Sequence, residues 1–203
     1  MAKPAWLTTT PSTGSGNGTI SNSASEHTGR VARTGTVTVT GTGVTNPVTY
    51  QVSQSPKAEF AEFDNGASMS APKAGGTVTV TGKSNSSKLT FSWAGQVIDV
   101  TIPTNYTAGG ASASNGTAIA GDPGATAQFA FSIALTFPAN ATIEEITRSL
   151  IVTDNAGNTA QIAIVQAAGD ATLSVSPASI TIPQAGTPAV SVTVTSNTSW
   201  SVS

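Results

Sequence analysis

The sequence predicts an all-β chain of two immunoglobulin-like β-sandwiches, one of them assembled from N- and C-terminal halves. Three observations carry that expectation. Apolar and polar residues alternate with period two over Thr36–Thr40, Thr77–Thr81 and Val190–Val194, as they do in strands with one face buried and one in water. Clusters of Gly, Asn and Pro interrupt these runs at Gly41–Gly43, Asn105–Gly124 and Asn155–Asn158, which is the chemistry of turns between strands. Finally, segments of the chain repeat one another, and repetition constrains a fold more tightly than propensity does.

Further strands are expected at 47–53, 88–93, 96–102, 127–136, 147–153, 159–165, 172–175 and 179–182. The one helical candidate is a single turn near Ile143-Glu144-Glu145. Many short strands separated by turn signals describe a sandwich rather than a parallel α/β sheet. The 203 residues suffice for two sandwiches, each of roughly 100 residues. Aromatic residues make up only 5% of the chain, so the cores must be built from Val, Ile, Leu and Ala.

The repeats have an unusual order. Pro72-Lys73-Ala74-Gly75-Gly76 leads into Thr77–Thr81 and then Ser84-Asn85-Ser86-Ser87. Pro183-Gln184-Ala185-Gly186-Thr187 leads into Val190–Val194 and then Ser196-Asn197-Thr198-Ser199. These are two copies of a front half. Arg33–Val39 running on to Tyr50-Gln51-Val52-Ser53-Gln54, and Arg148–Thr153 running on to Ile162-Ala163-Ile164-Val165-Gln166, are two copies of a back half. The order along the chain is back, front, back, front. Residues 58–168 then hold a complete sandwich, residues 1–57 a back half without a front, and residues 169–203 a front half without a back.

A half-sandwich exposes a row of apolar residues and open strand edges. Burying about 1,000 Å² of apolar surface at roughly 25 cal/mol per Å² contributes on the order of 25 kcal/mol before chain entropy is subtracted. Residues 169–203 are therefore expected to complete residues 1–57, either within the same chain or in a neighbouring subunit by strand donation.

Composition excludes several functions. Charged residues are 9% of the chain, against about 25% in an ordinary domain, and Thr, Ser, Asn and Gly take their place. The eight Lys and Arg are scattered and the net charge is −2, so no basic run is present to neutralise nucleic-acid phosphates. No apolar stretch is long enough to span a membrane. Met1–Leu7 turns polar at Thr8 and lacks the apolar core of a signal peptide. There is no Cys and hence no disulfide framework.

No reactive constellation emerges, and the chain reads as a non-enzyme with no catalytic residue, metal site or cofactor. His27 is the only His, which excludes a catalytic triad or a His-rich metal site, and it reads as a solvated loop residue. Gly14-Ser15-Gly16-Asn17-Gly18 lacks the Lys and the helix that a phosphate loop needs. Gly121-Asp122-Pro123-Gly124 and Asp154–Asn158 read as turns, without the spaced carboxylates of a strong Ca²⁺ site. Glu144 and Glu145 are adjacent and diverge, a poor acid/base pair. Among Trp6, Trp93, Trp200, Tyr50 and Tyr106, the candidate for stacking on a sugar ring is Tyr106, beside the long Gly-rich segment.

Leu173-Ser174-Val175-Ser176-Pro177, Ser196–Ser203, Trp6-Leu7, Ser15–Ile20, Arg33 and Gln54 together resemble the motifs of the BACON domain (Bacteroidetes-associated carbohydrate-binding often N-terminal), an immunoglobulin-like module. Read across the termini, Ser199–Ser203 followed by Ala5-Trp6-Leu7 matches that family continuously. The central segment diverges, with a long insertion around Gly109–Gly124. BACON-like domains also occur in tail and capsid proteins of crAss-like phages. The resemblance therefore implies an auxiliary or decoration protein on the outside of a phage capsid, with the major capsid protein or other virion proteins, and further copies of itself, as partners. Its alternative implication is a carbohydrate- or mucin-binding adhesion module at a cell surface or in the extracellular space.

Overall fold

The computed structural model describes residues 3–186 and 189–203. Met1, Ala2 and Thr187, which enter the motifs above, lie outside the described residues. The fold is all-β and immunoglobulin-like, with one 3-10 turn at Pro123–Ala125.

The N-terminal segment forms two separate antiparallel pairs. One joins β1 (Leu7–Thr10) to β2 (Ser21–Ala24); the other joins β3 (Arg33–Val39) to β4 (Val48–Gln54). The central segment contributes β5 (Ala61–Phe63), β6 (Ser68–Ala71), β7 (Gly76–Ser84), β8 (Thr90–Trp93), β9 (Asn105–Ala108), β10 (Ala111–Ser114), β11 (Phe129–Phe137), β12 (Ile146–Thr153) and β13 (Thr159–Gln166). The C-terminal segment is one hairpin, β14 (Leu173–Ser176) with β15 (Thr193–Ser196).

The central strands make a two-layer sandwich. One sheet has the order β10-β9-β11-β7-β5 and the other β6-β13-β12-β8. All pairs are antiparallel except β6 with β13. Alternation is strict on β11, where Phe129, Phe131, Ile133, Leu135 and Phe137 point inward. They meet Val78 and Val80 of β7 and, across the layers, Leu150, Val152, Ile162 and Ile164. Each such side chain, fully buried, contributes roughly 1.5–3 kcal/mol. Gly82 makes room at this centre: a Cβ there would lie 2.3 Å from Cζ of Phe131 and 2.2 Å from the Glu62 carbonyl oxygen.

Several expectations are corrected. Residues 96–102 are not a strand. They bury Val100 and expose Ile98, and side-chain bonds from Trp93 and Arg148 hold them in place of a ladder. Residues 179–182 are also outside any strand, and the strand expected over 190–194 is instead β15 at Thr193–Ser196. Ile143–Glu145 contains no helical turn. The Gly-rich stretch 105–124 is not merely a loop. Gly109 and Gly110, at φ 58° and 85°, link β9 to β10, the left-handed pair that a tight two-residue hairpin requires.

Candidate functional site

Most of the residues singled out from the sequence hold the fold. Tyr106 lies on β9 and points into the core. It is 4% exposed and packs edge-to-face on Phe91 with ring centroids 5.0 Å apart. Burial raises its phenol above the ordinary value of 10.0, partly offset by the Leu89 backbone. The ring has no face free for a sugar, which corrects the stacking expectation; the hairpin turn at Gly109-Gly110 sets an alternation that sends Tyr106 inward.

His27 is buried rather than solvated, with Nε2 2.7 Å from the Val31 carbonyl oxygen. Asp154 is also buried and caps its own turn, Oδ1 accepting the Asn158 N–H at 2.8 Å. Asp122 pairs with Arg30, which also reaches Glu59 at 3.3 Å. Glu144 and Glu145 are exposed. Among the described residues no group of three His, Asp or Glu stands close enough to hold a metal ion. No helix among them is long and apolar enough to cross a membrane.

The distinctive surface lies at the two ends of the molecule. The N-terminal half leaves a groove of about 510 Å³ between the β1–β2 pair, with its Gly-rich loop, and β3. Thr9 and Ile20 line one side, and Val37 and Val39 the other. Among the described residues, β3 pairs only with β4 and β2 only with β1. Their remaining edges present unpaired backbone groups beside exposed apolar side chains, a template for further strands. Arg33 lies over the Trp6 ring at 4.6 Å, and its Nε donates to Gln54 Oε1 at 2.9 Å, tying β3 to β4 and to the residue before β1. The central sandwich does the same with a buried arginine: Arg148 Nη1 donates to Gln166 Oε1 at 3.1 Å, and Arg148 also pairs with Asp99. The ladder shows that the two arginines are not equivalent positions. Gln54 faces Arg33, whereas Gln166 faces Ile146. Each arginine reaches its glutamine from a different rung.

The C-terminal hairpin is equally open. Leu173, Val175, Ile182, Trp200 and Val202 are each more than half exposed. Thirteen of the fifteen large apolar side chains exposed among the described residues lie in the two terminal segments, although the central segment is longer than both together. That distribution separates one closed core from two open terminal segments.

The C-terminal hairpin matches the β5–β7 pair rung by rung. β5 pairs with β7 as Ala61 opposite Ser84 and Phe63 opposite Gly82. β14 pairs with β15 as Leu173 opposite Ser196 and Val175 opposite Val194, each partner 112 residues further on. The corner after the strand is also reproduced. Ser84 Oγ donates to the Phe60 carbonyl at 2.7 Å, and Asn85 Oδ1 accepts the Phe60 N–H at 3.0 Å. Ser196 Oγ donates to the Thr172 carbonyl at 2.8 Å, and Asn197 Oδ1 accepts the Thr172 N–H at 2.8 Å.

The joints between segments repeat as well. Asn85 Nδ2 donates to the carbonyls of Thr28 and Ala58, and the Lys57 N–H to that of Gly29. At the other joint, Asn197 Nδ2 donates to the carbonyls of Ala141 and Asp170, and the Gly169 N–H to that of Thr142. His27 reaches the Val31 carbonyl where Asn140 reaches that of Glu144. Asn140 is thus a buried corner residue. Sequence reading missed these joints, although the Ser-Asn-Ser/Thr repeat carried their signal.

No protein-family model matches the chain, and no curated protein matches it in sequence. Among solved structures it is similar to the protocadherin GammaB4 extracellular domain, at 17% identity and a TM-score of 0.38, covering 83% of this chain and 26% of that one. It is also similar to zebrafish RET cadherin-like domains 1 to 4, at 9% identity and a TM-score of 0.33, covering 70% and 34%. The chain spans about a quarter and a third of the lengths of these two proteins.

Proposed function

We propose that the chain is a non-catalytic structural or adhesive module that works on an exposed surface by presenting immunoglobulin-like sandwiches end to end. The observation that supports this reading is the pair of open half-sandwiches flanking a complete one. Exposed apolar rows beside open strand edges are a liability in a solitary domain and the raw material of association in a linking one. The solvent faces support the same reading. They are hydroxyl and amide rather than charged, so contacts rest on shape and backbone pairing rather than long-range steering.

Within that reading, the BACON resemblance suggests two settings. One is the outside of a phage capsid, as an auxiliary protein bound to the major capsid protein. The other is an extracellular or cell-surface adhesion module for glycans. In the second setting the aromatic available to a sugar is Trp200, more than half exposed, rather than buried Tyr106. Mass spectrometry of purified virions from a phage encoding the chain and a mucin-glycan array test the two together. Many copies per virion support the first setting. Array binding lost in Trp200→Ala supports the second. Absence from virions together with a blank array would defeat both.

A further inference from the structure

We infer that the groove of the N-terminal half is the receptor for residues 189–203 of a second copy of this chain, so that copies join head to tail by strand complementation. This deepens the surface-module reading by naming a partner, and it is independent of which surface the module occupies.

The central sandwich is the template. Its β11 is flanked by β7, with Ile133 opposite Val80 and Leu135 opposite Val78. Its β12 is flanked by β8, with Val152 opposite Phe91. The corner and ladder matches above relate 141 to 28 and 164 to 52, so β2 with the residues just before it corresponds to β11, and β3 to β12. Carried over by those spacings, the register sets Ile20 opposite Val192 and brings the segment near Val202 beside Val39. The exposures agree. Ile133, Val80 and Val152 are at most 1% exposed in the finished sandwich, whereas Ile20, Val192 and Val39 are 39%, 39% and 41% exposed. At these three positions the open halves display apolar side chains where the finished sandwich buries them, whereas Leu135 carries over to Asn22, and the groove lies where the missing strands belong.

The chain's own hairpin does not fill the groove. The N-terminal half docks where β7 ends, through Thr28, Gly29 and Asn85. The C-terminal half docks where β7 begins, through Thr142, Gly169 and the Lys73–Asp170 ion pair. The nine residues of β7, at about 3.3 Å each, hold these joints roughly 25–30 Å apart. Self-closure would break one joint, whereas donation to another copy preserves both. Because the two joints make the same bonds, each added copy continues the same end-to-end stack. The interface is heterologous, and it closes into a ring or grows as a filament.

The test uses disulfide trapping, since the chain has no cysteine of its own. Ile20→Cys and Val192→Cys are made in separate proteins and mixed under mild oxidation. The pair Thr19→Cys and Thr193→Cys, one rung along, covers the other strand-pair geometry. An intrachain Ile133→Cys/Val80→Cys protein controls for the chemistry. The expected result is a covalent species of twice the 20.1 kDa monomer mass on mixing, and a ladder of higher multiples when both cysteines sit in one chain. Light scattering of the unmodified protein should show mass rising with concentration, and Val192→Lys should return it to monomer. A closed monomeric disulfide in the double variant, or no covalent dimer from either pair while the control closes, overturns the inference.

Discussion

Replacing Asn85 with alanine tests the corner that joins the N-terminal half to the central sandwich. Asn85 is fully buried. Its Oδ1 accepts the Phe60 N–H at 3.0 Å, and its Nδ2 donates to Thr28 O and Ala58 O at 3.1 Å each, with Lys57 O further off at 3.4 Å. Three good hydrogen bonds at about 1 kcal/mol each give a loss of about 3 kcal/mol, and the Phe60 N–H left without its acceptor pushes the cost upward. For a chain of this length that corresponds to a fall in Tm of roughly 6–12 °C. Urea unfolding followed by the fluorescence of Trp93, whose Nε1 donates to Val100 O at 2.8 Å inside the sandwich, measures it. The matching Asn197→Ala change, in the open half, should cost well under half as much, because its partners are solvated. Equal losses for the two variants, or a loss below about 0.5 kcal/mol for Asn85→Ala, would refute the claim that this corner is buried structure at one joint and exposed structure at the other.

Other predictions follow from single contacts. The hydrogen bond from Arg148 holds the Asp99 carboxyl below its ordinary value of 3.8, with the arginine charge adding to the effect and partial burial opposing it. A carboxyl with a lowered folded pKa stabilises fully above 3.8 and loses that contribution as pH falls through the lower value. Asp99→Asn should therefore flatten the stability curve below pH 3.8 and cost about 1 kcal/mol or less at neutral pH, since the carboxylate is 40% exposed and screened; acid titration of the unfolding midpoint measures both. A Cβ on Gly29 would lie 2.4 Å from the Thr126 carbonyl carbon, so Gly29→Ala should loosen the first joint and speed limited proteolysis near residue 57 without lowering the unfolding midpoint of the central sandwich. The Tyr106 hydroxyl has only the Leu89 backbone near it and makes no hydrogen bond of normal geometry among the described residues, so Tyr106→Phe should change stability by less than about 0.5 kcal/mol, whereas Tyr106→Ala should cost roughly 3–5 kcal/mol by opening a cavity; thermal unfolding separates the two.

Period-two patterning and turn residues made the all-β fold legible, because alternation on strands such as β11 and β13 directly encodes which face is buried. The repeated Pro-x-Ala-Gly and Ser-Asn-Ser/Thr segments exposed the back-front-back-front order for the same reason: equivalent positions in equivalent sandwiches need the same chemistry. Local pattern failed where a segment's role depends on something distant. Residues 96–102 alternate like a strand yet join no ladder, because bonds from the Arg148 and Trp93 side chains hold them instead. Gly109-Gly110 reads as loop but turns a hairpin, which carried Tyr106 from a supposed rim into the core.

The sequence by itself determined that this protein is all-β and that its terminal segments repeat parts of its central one, since hydrophobic periodicity and repeated corners are properties of neighbouring residues. Only the tertiary structure decided where those terminal segments stand. Their separation is set by the length of β7 and by the hydrogen bonds at each end of it, and such distances arise only after strands from remote parts of the chain have packed together.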